Sequence, residues 1–170
     1  MKRIIYILCC VLLFASCAKE DRNLMLVNQE ESIDKYISSL KNVRVARNGG
    51  SNRVVVTEGK GTDSLQTGYV VNFYYAGYTF YNGKGALFVT NNPEVAQAQN
   101  FPLSGGVESA VLGSGSLVSG LDKGLEGAKA GEMCQIVFSA KYGYGNEAVY
   151  NVPKMSPLIF DVWVDSISKN

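Results

Sequence analysis

The side chains that carry most hydrolytic and transfer chemistry are sparse in this chain of 170 residues, and histidine is absent altogether. That absence removes Ser-His-Asp and Cys-His catalysis, His-ligated zinc and any imidazole proton transfer. Of the four cysteines, Cys9, Cys10 and Cys17 crowd the N-terminus and Cys134 stands alone. In Gly131–Ala140, Cys134 alternates in phase with Ile136 and Phe138, so it is expected to be buried and inert. Neither a metal cluster nor an internal disulfide can be built from it, and no cofactor is expected. Gly113-Ser114-Gly115 has the start of a dinucleotide-binding turn, but Val118 stands where the third glycine belongs and no βαβ repeat follows. No Gly-Lys-Ser/Thr is present for a phosphate loop. Tyr74, Tyr75, Tyr78 and Tyr81 are compatible with a sugar-stacking platform, although alternation along a strand explains them more simply. A net charge of +1 without a basic run gives nucleic acid nothing to hold, so no nucleic-acid partner is expected.

The elements that must position any site begin after a leader. Lys2 and Arg3 precede an apolar run, Ile4 to Phe14, and then Ala15-Ser16-Cys17. The run is too short for a stable bilayer span. It resembles a bacterial lipoprotein signal over residues 1–16, which makes Cys17 the lipidated first residue of the mature chain. Cys9 and Cys10 leave with such a signal. The alternative is a plain secretory signal with an incidental cysteine. Residues 17–27 read as a charged tether holding the domain off a membrane.

Residues 28–67 read as an extension made of a helix and a hairpin. Asn28 and Glu31 have capping-box spacing, and Ile33, Tyr36, Ile37 and Leu40 form an apolar stripe that packs on the domain or binds a partner. Asn48-Gly49-Gly50 marks a hairpin between two short strands. From 68 to 170 the periodicity changes to strand spacing. Gly68 to Tyr81 is the longest predicted strand, with Gly77 marking a bulge. The run from Asn91 to Gly106 reads as a long loop. From Leu117 a helical wheel gathers Leu117, Val118, Leu121, Leu125 and Ala128 on one arc and Gly120, Gly124 and Gly127 on another. A glycine strip on so poor a helix predicts close approach of a sheet. About six mostly antiparallel strands and one central helix make an α+β domain.

Four ordered segments carry a resemblance to the FK506-binding-protein (FKBP) family of peptidyl-prolyl isomerases. They are Val70 to Gly77 (VVNFYYAG), the glycine-rich run ending at Glu132, Ser139 to Gly145 (SAKYGYG), and Val152 to Val164 (VPKMSPLIFDVWV). Each is weak alone; in order and at near-family spacing they are specific. The resemblance implies an FKBP-like bent antiparallel β-sheet wrapped around one short central helix. It implies rotation about Xaa-Pro bonds, chemistry that needs no nucleophile, metal or general base.

Carried over by position, the resemblance makes Tyr75, Phe88, Tyr144 and Phe160 the aromatic walls of a proline pocket. Leu117 and Val118 become a ledge whose Val118 N–H binds a carbonyl, Leu121 the floor, Val152 an edge, and the Tyr144 hydroxyl a donor. Plain core packing is the other account of each. Three positions depart from the family pattern: Leu121 replaces the usual Trp, Val89 replaces an Asp, and no aromatic aligns near Glu108. The Asn91–Gly106 stretch is longer than in compact members, beside the pocket as lid or plug. Two functions follow: an isomerase assisting exported proteins, or a degenerate module that binds without turnover. Implied partners are proline-containing polypeptides, FK506-like ligands and a membrane reached through the lipid anchor. The implied location is the cell envelope, at a bacterial outer membrane, on either of its sides. Trp163 is expected to face away from the pocket.

Overall fold

The computed structural model describes residues 2–169, with side chains from Glu20 onward; the predicted cleavage site and Cys17 lie outside the described side chains. Helix α1 (Lys2–Ser39) is followed by β1 (Arg44–Asn48), β2 (Ser51–Thr57), β3 (Tyr69–Phe80) and β4 (Lys84–Thr90). Then come α2 (Pro93–Gln99), β5 (Glu108–Val111), α3 (Ser119–Leu125), β6 (Met133–Phe138), a 3₁₀ turn at Ala140–Tyr142, and β7 (Leu158–Lys169). Among the described residues no helix is long and apolar enough to cross a membrane.

All seven strands join one sheet: six in the order β1-β2-β6-β7-β3-β4, with β5 paired to β3 off that path, and every pair is antiparallel. Strand β3 is flanked by β7 along one edge; along its other edge β5 pairs with residues 70–73 and β4 with residues 76–80. The sheet therefore opens a gap between β5 and β4. Alternation along the strands makes two apolar faces. One carries Val71, Phe73, Ile136, Phe138, Leu158, Phe160 and Val162 under α3. The other carries Ala76, Tyr78, Phe80, Val137 and Ile159 under α1. The predicted stripe on α1 lands there, with Ile33 and Ile37 almost wholly buried. Trp163 packs on that same face, as its register predicts.

Three expectations need correction. Helix α1 runs through Asn28, which is therefore not an N-cap, and the described part of the predicted tether is helical. The Asn91–Gly106 stretch contains a helix. Asn92 caps α2 by accepting from the N–H groups of Glu94 (2.9 Å) and Val95 (3.3 Å), Pro93 occupies the first turn, and Asn100 ends it in the left-handed region. Those caps were legible and outweigh the loop reading. The central helix is shorter than its wheel: Glu126 is extended, and Gly127 and Gly131 adopt φ of +79° and +76°, which glycine tolerates. Ala128 is buried by strand-like pairing with Leu65 instead, since Leu65 N–H donates to Ala128 C=O and Gly127 N–H to Leu65 C=O, both 2.8 Å.

The glycine strip does bring the helix close to the sheet at two of its three positions. A Cβ on Gly120 would lie 2.3 Å from the Phe138 ring, and one on Gly124 would lie 2.3 Å from Ile136 Cγ2. Ser51 Oγ donates to Gly120 C=O at 2.7 Å, tying α3 to β2. At the helix's C-terminal end the Arg53 guanidinium donates to Glu126 C=O at 3.2 Å, where a cation complements the dipole. Arg53 is also paired with Glu132, and both are buried. The Glu132 carboxylate faces Arg44 at 3.6 Å as well.

Candidate active site

Because α3 is short and pressed against β6 and β2, it leaves the β3 end of its face uncovered. A cavity of about 270 Å³ opens there. Phe160 and Leu121 form its buried base, and Tyr75, Tyr144, Leu117 and Val118 rise around it, each partly buried. Phe73, Val89, Glu108, Ser116 and Tyr150 complete the lining.

Each wall has a local cause. The turn Gly113–Ser116 has two glycines in the left-handed region, and Asp122 Oδ1 accepts from Gly113 N–H at 2.8 Å. This swings Leu117 and Val118 over the cavity as the chain enters α3. Val118 C=O accepts from the N–H groups of Leu121 and Asp122 (2.9 and 3.1 Å), while among the described residues no acceptor takes the Val118 N–H. Tyr144 follows the 3₁₀ turn in a glycine-flanked loop, and its ring meets Phe88 edge-on at 6.1 Å.

Tyr75 is set by a residue that sequence reasoning missed. In the gap between β5 and β4, the buried Asn91 side chain takes the place of a strand. Its Oδ1 accepts from Tyr75 N–H (2.6 Å), and its Nδ2 donates to Phe73 C=O (3.3 Å) and Gly106 C=O (2.9 Å). An asparagine after a strand is too common a signal to single out. Its use here depends on a neighbour eighteen residues away in the chain and on the gap itself.

Of the eight residues expected at the pocket, Tyr75, Leu117, Val118, Leu121, Tyr144 and Phe160 line the cavity, whereas Phe88 and Val152 do not. The β3–β4 register slips between Gly77↔Val89 and Tyr78↔Leu87, making Phe88 the extra residue of the bulge. Phe88 and Val89 therefore face the same core in succession. Val89 reaches the cavity, and Phe88 packs behind it against Phe160 at 5.7 Å. Gly77 permits this, since a Cβ there would lie 2.6 Å from Phe160 and 2.9 Å from Phe88. Val152 is wholly buried, in a tight turn bridged to Val149. The segment around α2 covers none of the cavity, because Val95 and Phe101 pack on the α1 face of the sheet. The tyrosines form no platform: Tyr75 faces the cavity, Tyr78 lies under α1, and Tyr81 stands exposed beyond the strand.

The site combines aromatic and aliphatic walls with polar groups: the tyrosine hydroxyls, Ser116 and the Glu108 carboxylate. Burial raises the Tyr144 hydroxyl above the ordinary tyrosine value, with Tyr150 and Tyr75 adding to it. Burial raises Tyr75 too, opposed by Ser104 and reinforced by Glu108 and Tyr150. Both hydroxyls are therefore protonated donors at neutral pH. Burial likewise raises the Cys134 thiol far above its usual range, so it is no nucleophile. Among the described residues no cluster of acidic or cysteine side chains can hold a metal ion.

A cavity with aromatic and aliphatic walls and hydroxyl donors suits a reaction in which a planar amide is bound and twisted. The model of one family, the FKBP-type peptidyl-prolyl cis-trans isomerases, matches residues 61–165. FK506-binding protein 1 of Aspergillus oryzae is 30% identical over 115 residues, which cover 66% of this chain and 94% of that protein. FK506-binding protein 1B of Aspergillus fumigatus is 28% identical over 116 residues, 66% of this chain and 90% of its own length. The crystal structure of the three FKBP domains of wheat FKBP73 superposes with a TM-score of 0.60 at 20% identity, over 75% of this chain and 50% of that one, and shares the fold. The chain belongs to the FKBP-type peptidyl-prolyl cis-trans isomerase family. It is accordingly an enzyme of the isomerase class, built on the FKBP fold.

Proposed function

We propose that this protein isomerises Xaa-Pro bonds of exported polypeptides in the open cavity under α3, held at a membrane by lipid on Cys17. The observation that carries the reading is the cavity itself: walled by aromatic and aliphatic side chains, tipped with hydroxyls, open to solvent, and with no lining residue from the Asn91–Gly106 segment. The barrier to be lowered is roughly 18–20 kcal/mol, because rotation breaks amide resonance; unaided exchange takes about 10–100 s. The planar amide is the more polar form and loses solvation among Tyr75, Phe160 and Leu121. The twisted form, with its carbonyl and nitrogen decoupled, loses less. The Val118 N–H receives a substrate carbonyl, and the Tyr144 hydroxyl donates to the rotating segment, contacts that count toward rate only if they strengthen at the twist. The same cavity accepts FK506-like ligands.

The test is isomerisation of a Xaa-Pro peptide by the full chain in detergent micelles, with and without an FK506-like inhibitor. Inhibitable acceleration is expected. Folded protein that binds the inhibitor without acceleration leaves a binding module. Mass spectrometry of the membrane-extracted protein should find an acylated N-terminus at Cys17, and an unmodified N-terminus elsewhere refutes the anchor.

A further inference from the structure

Among the described residues Glu108 is the one charged residue lining the cavity. Its direction is fixed by pairing, since Glu108 opens β5 opposite Phe73, and residues paired across antiparallel strands project to the same face. Two residues on, Ala110 is buried in the core of that face. Glu108 is partly buried as a residue, and every ion pair among the described residues is made by other groups. Its neighbours in the lining are Tyr75, Tyr144 and Tyr150, and its charge is felt at the Tyr75 hydroxyl.

A carboxylate without a counter-ion, set among tyrosine rings, is the complement of an ammonium or guanidinium group. The charge attracts it, the ring faces add cation–π contact, and Leu117 and Val118 offer apolar surface for the stem of such a side chain. The cavity is small, so once a prolyl ring occupies the base the cation must come from a residue next to that proline. We propose that Glu108 determines specificity, selecting client segments with lysine or arginine flanking the proline. This rests on the isomerase reading given above.

The experiment measures kcat/KM of the full chain in detergent micelles on two peptide series. They vary the residue before or after the proline among Lys, Leu and Glu. At low ionic strength the Lys peptide of one series is expected to exceed its Leu counterpart about fivefold, as one partly solvated ion pair allows. Added salt should narrow that ratio. Glu108→Gln should bring the ratio close to one, and Glu108→Lys should reverse the order in favour of Glu. A Lys/Leu ratio unchanged by Glu108→Gln, or a wild-type order led by Leu in both series, overturns the proposal. Should no peptide be accelerated, the isomerase reading fails, and calorimetric titration of the same peptides still decides this one. Lys peptides bound no more tightly than Leu peptides, or equally by wild type and Glu108→Gln, would refute it.

Discussion

The two faces of the sheet are covered by very different helices, and the difference explains where the site is. On one face α1 lays large aliphatic side chains, Ile33 and Ile37, over Tyr78, Phe80 and Ile159, and leaves a cavity of about 580 Å³ toward its earlier turns, between Leu24, Met25, Gln29, Phe80 and Pro157. On the other, α3 has seven residues, two of them glycines in contact with Phe138 and Ile136. A small-residue helix sits deep and spans little, so it seals one end of its face and leaves the β3 end hollow. Both faces carry a hollow, but the one beside α3 is walled by aromatic rings over the buried Phe160 and Leu121, whereas the one beside α1 lies at the edge of that helix, away from Ile33 and Ile37. The polar groups follow the same division: on the α1 face Asp161 is paired with Lys84 at 2.5 Å and accepts from Gln135 at 3.1 Å. The cavity's Glu108 has no such partner among the described residues.

The contrast breaks most visibly on the α1 face. Ile37→Ala should remove about 2–5 kcal/mol of stability, as buried aliphatic truncations do, while the kcat/KM of molecules that remain folded is unchanged. Denaturant unfolding and an activity measurement on the same sample check both halves. A loss of activity per folded molecule would mean that the faces are coupled.

Gly120→Ala addresses the other face, where two effects oppose each other. Helix propensity favours alanine by about 1 kcal/mol, but the added Cβ would lie 2.3 Å from the Phe138 ring, and overpacking costs about 1–3 kcal/mol. Contact that close should win, giving a net loss of roughly 1–2 kcal/mol. Because α3 carries Leu121, kcat/KM should fall as well. A stabilised variant would show that α3 has room to lift from the sheet.

Smaller still is Tyr144→Phe. It removes one neutral donor, about 1 kcal/mol or roughly fivefold in kcat/KM, without changing the unfolding midpoint. In the wild type, the raised Tyr75 and Tyr144 hydroxyls predict a flat pH–rate profile from neutrality to about pH 10. A folded-state value raised above the unfolded one means that the stability these groups contribute is fully present below the ordinary tyrosine value. It is lost as pH climbs through the raised one. Absorbance titration of tyrosinate locates that window, and a decline in activity near pH 8 would place another group in control. The smallest expected effect is at Trp163, on the α1 face: its fluorescence should barely change when the cavity is filled, and a large quench would put the two faces in contact.

Much of the fold was legible because the signals were local. The Asn48-Gly49-Gly50 hairpin and the alternation of Leu158, Phe160, Val162 and Val164 toward one core follow from period and turn chemistry, and the structure has them; the bulge expected at Gly77 lies instead on the facing strand β4, at Phe88. Six of the eight expected pocket residues line the cavity for a similar reason: strand parity and a short turn decide which way Tyr75, Phe160 and Leu117 point. The errors came where two segments distant in the chain compete. Phe88 had the right parity until the slipped β4 register turned it behind Val89. Ala128 fitted a helical wheel until pairing with Leu65 and the left-handed Gly127 ended the helix.

By itself, then, the sequence determined the chemistry that is excluded, the alternation that gives each strand its apolar face, and the family whose motifs it carries. Absence of histidine, period-two alternation and turn glycines act over a few residues and need no partner. Tertiary structure alone decided that Asn91 bridges the gap in the sheet, that Val95 and Phe101 around α2 pack on the α1 face, and that Glu108 enters the cavity wall with no counter-ion among the described residues. Those outcomes depend on which surfaces meet across the sheet, a matter of volume and burial that no local pattern records.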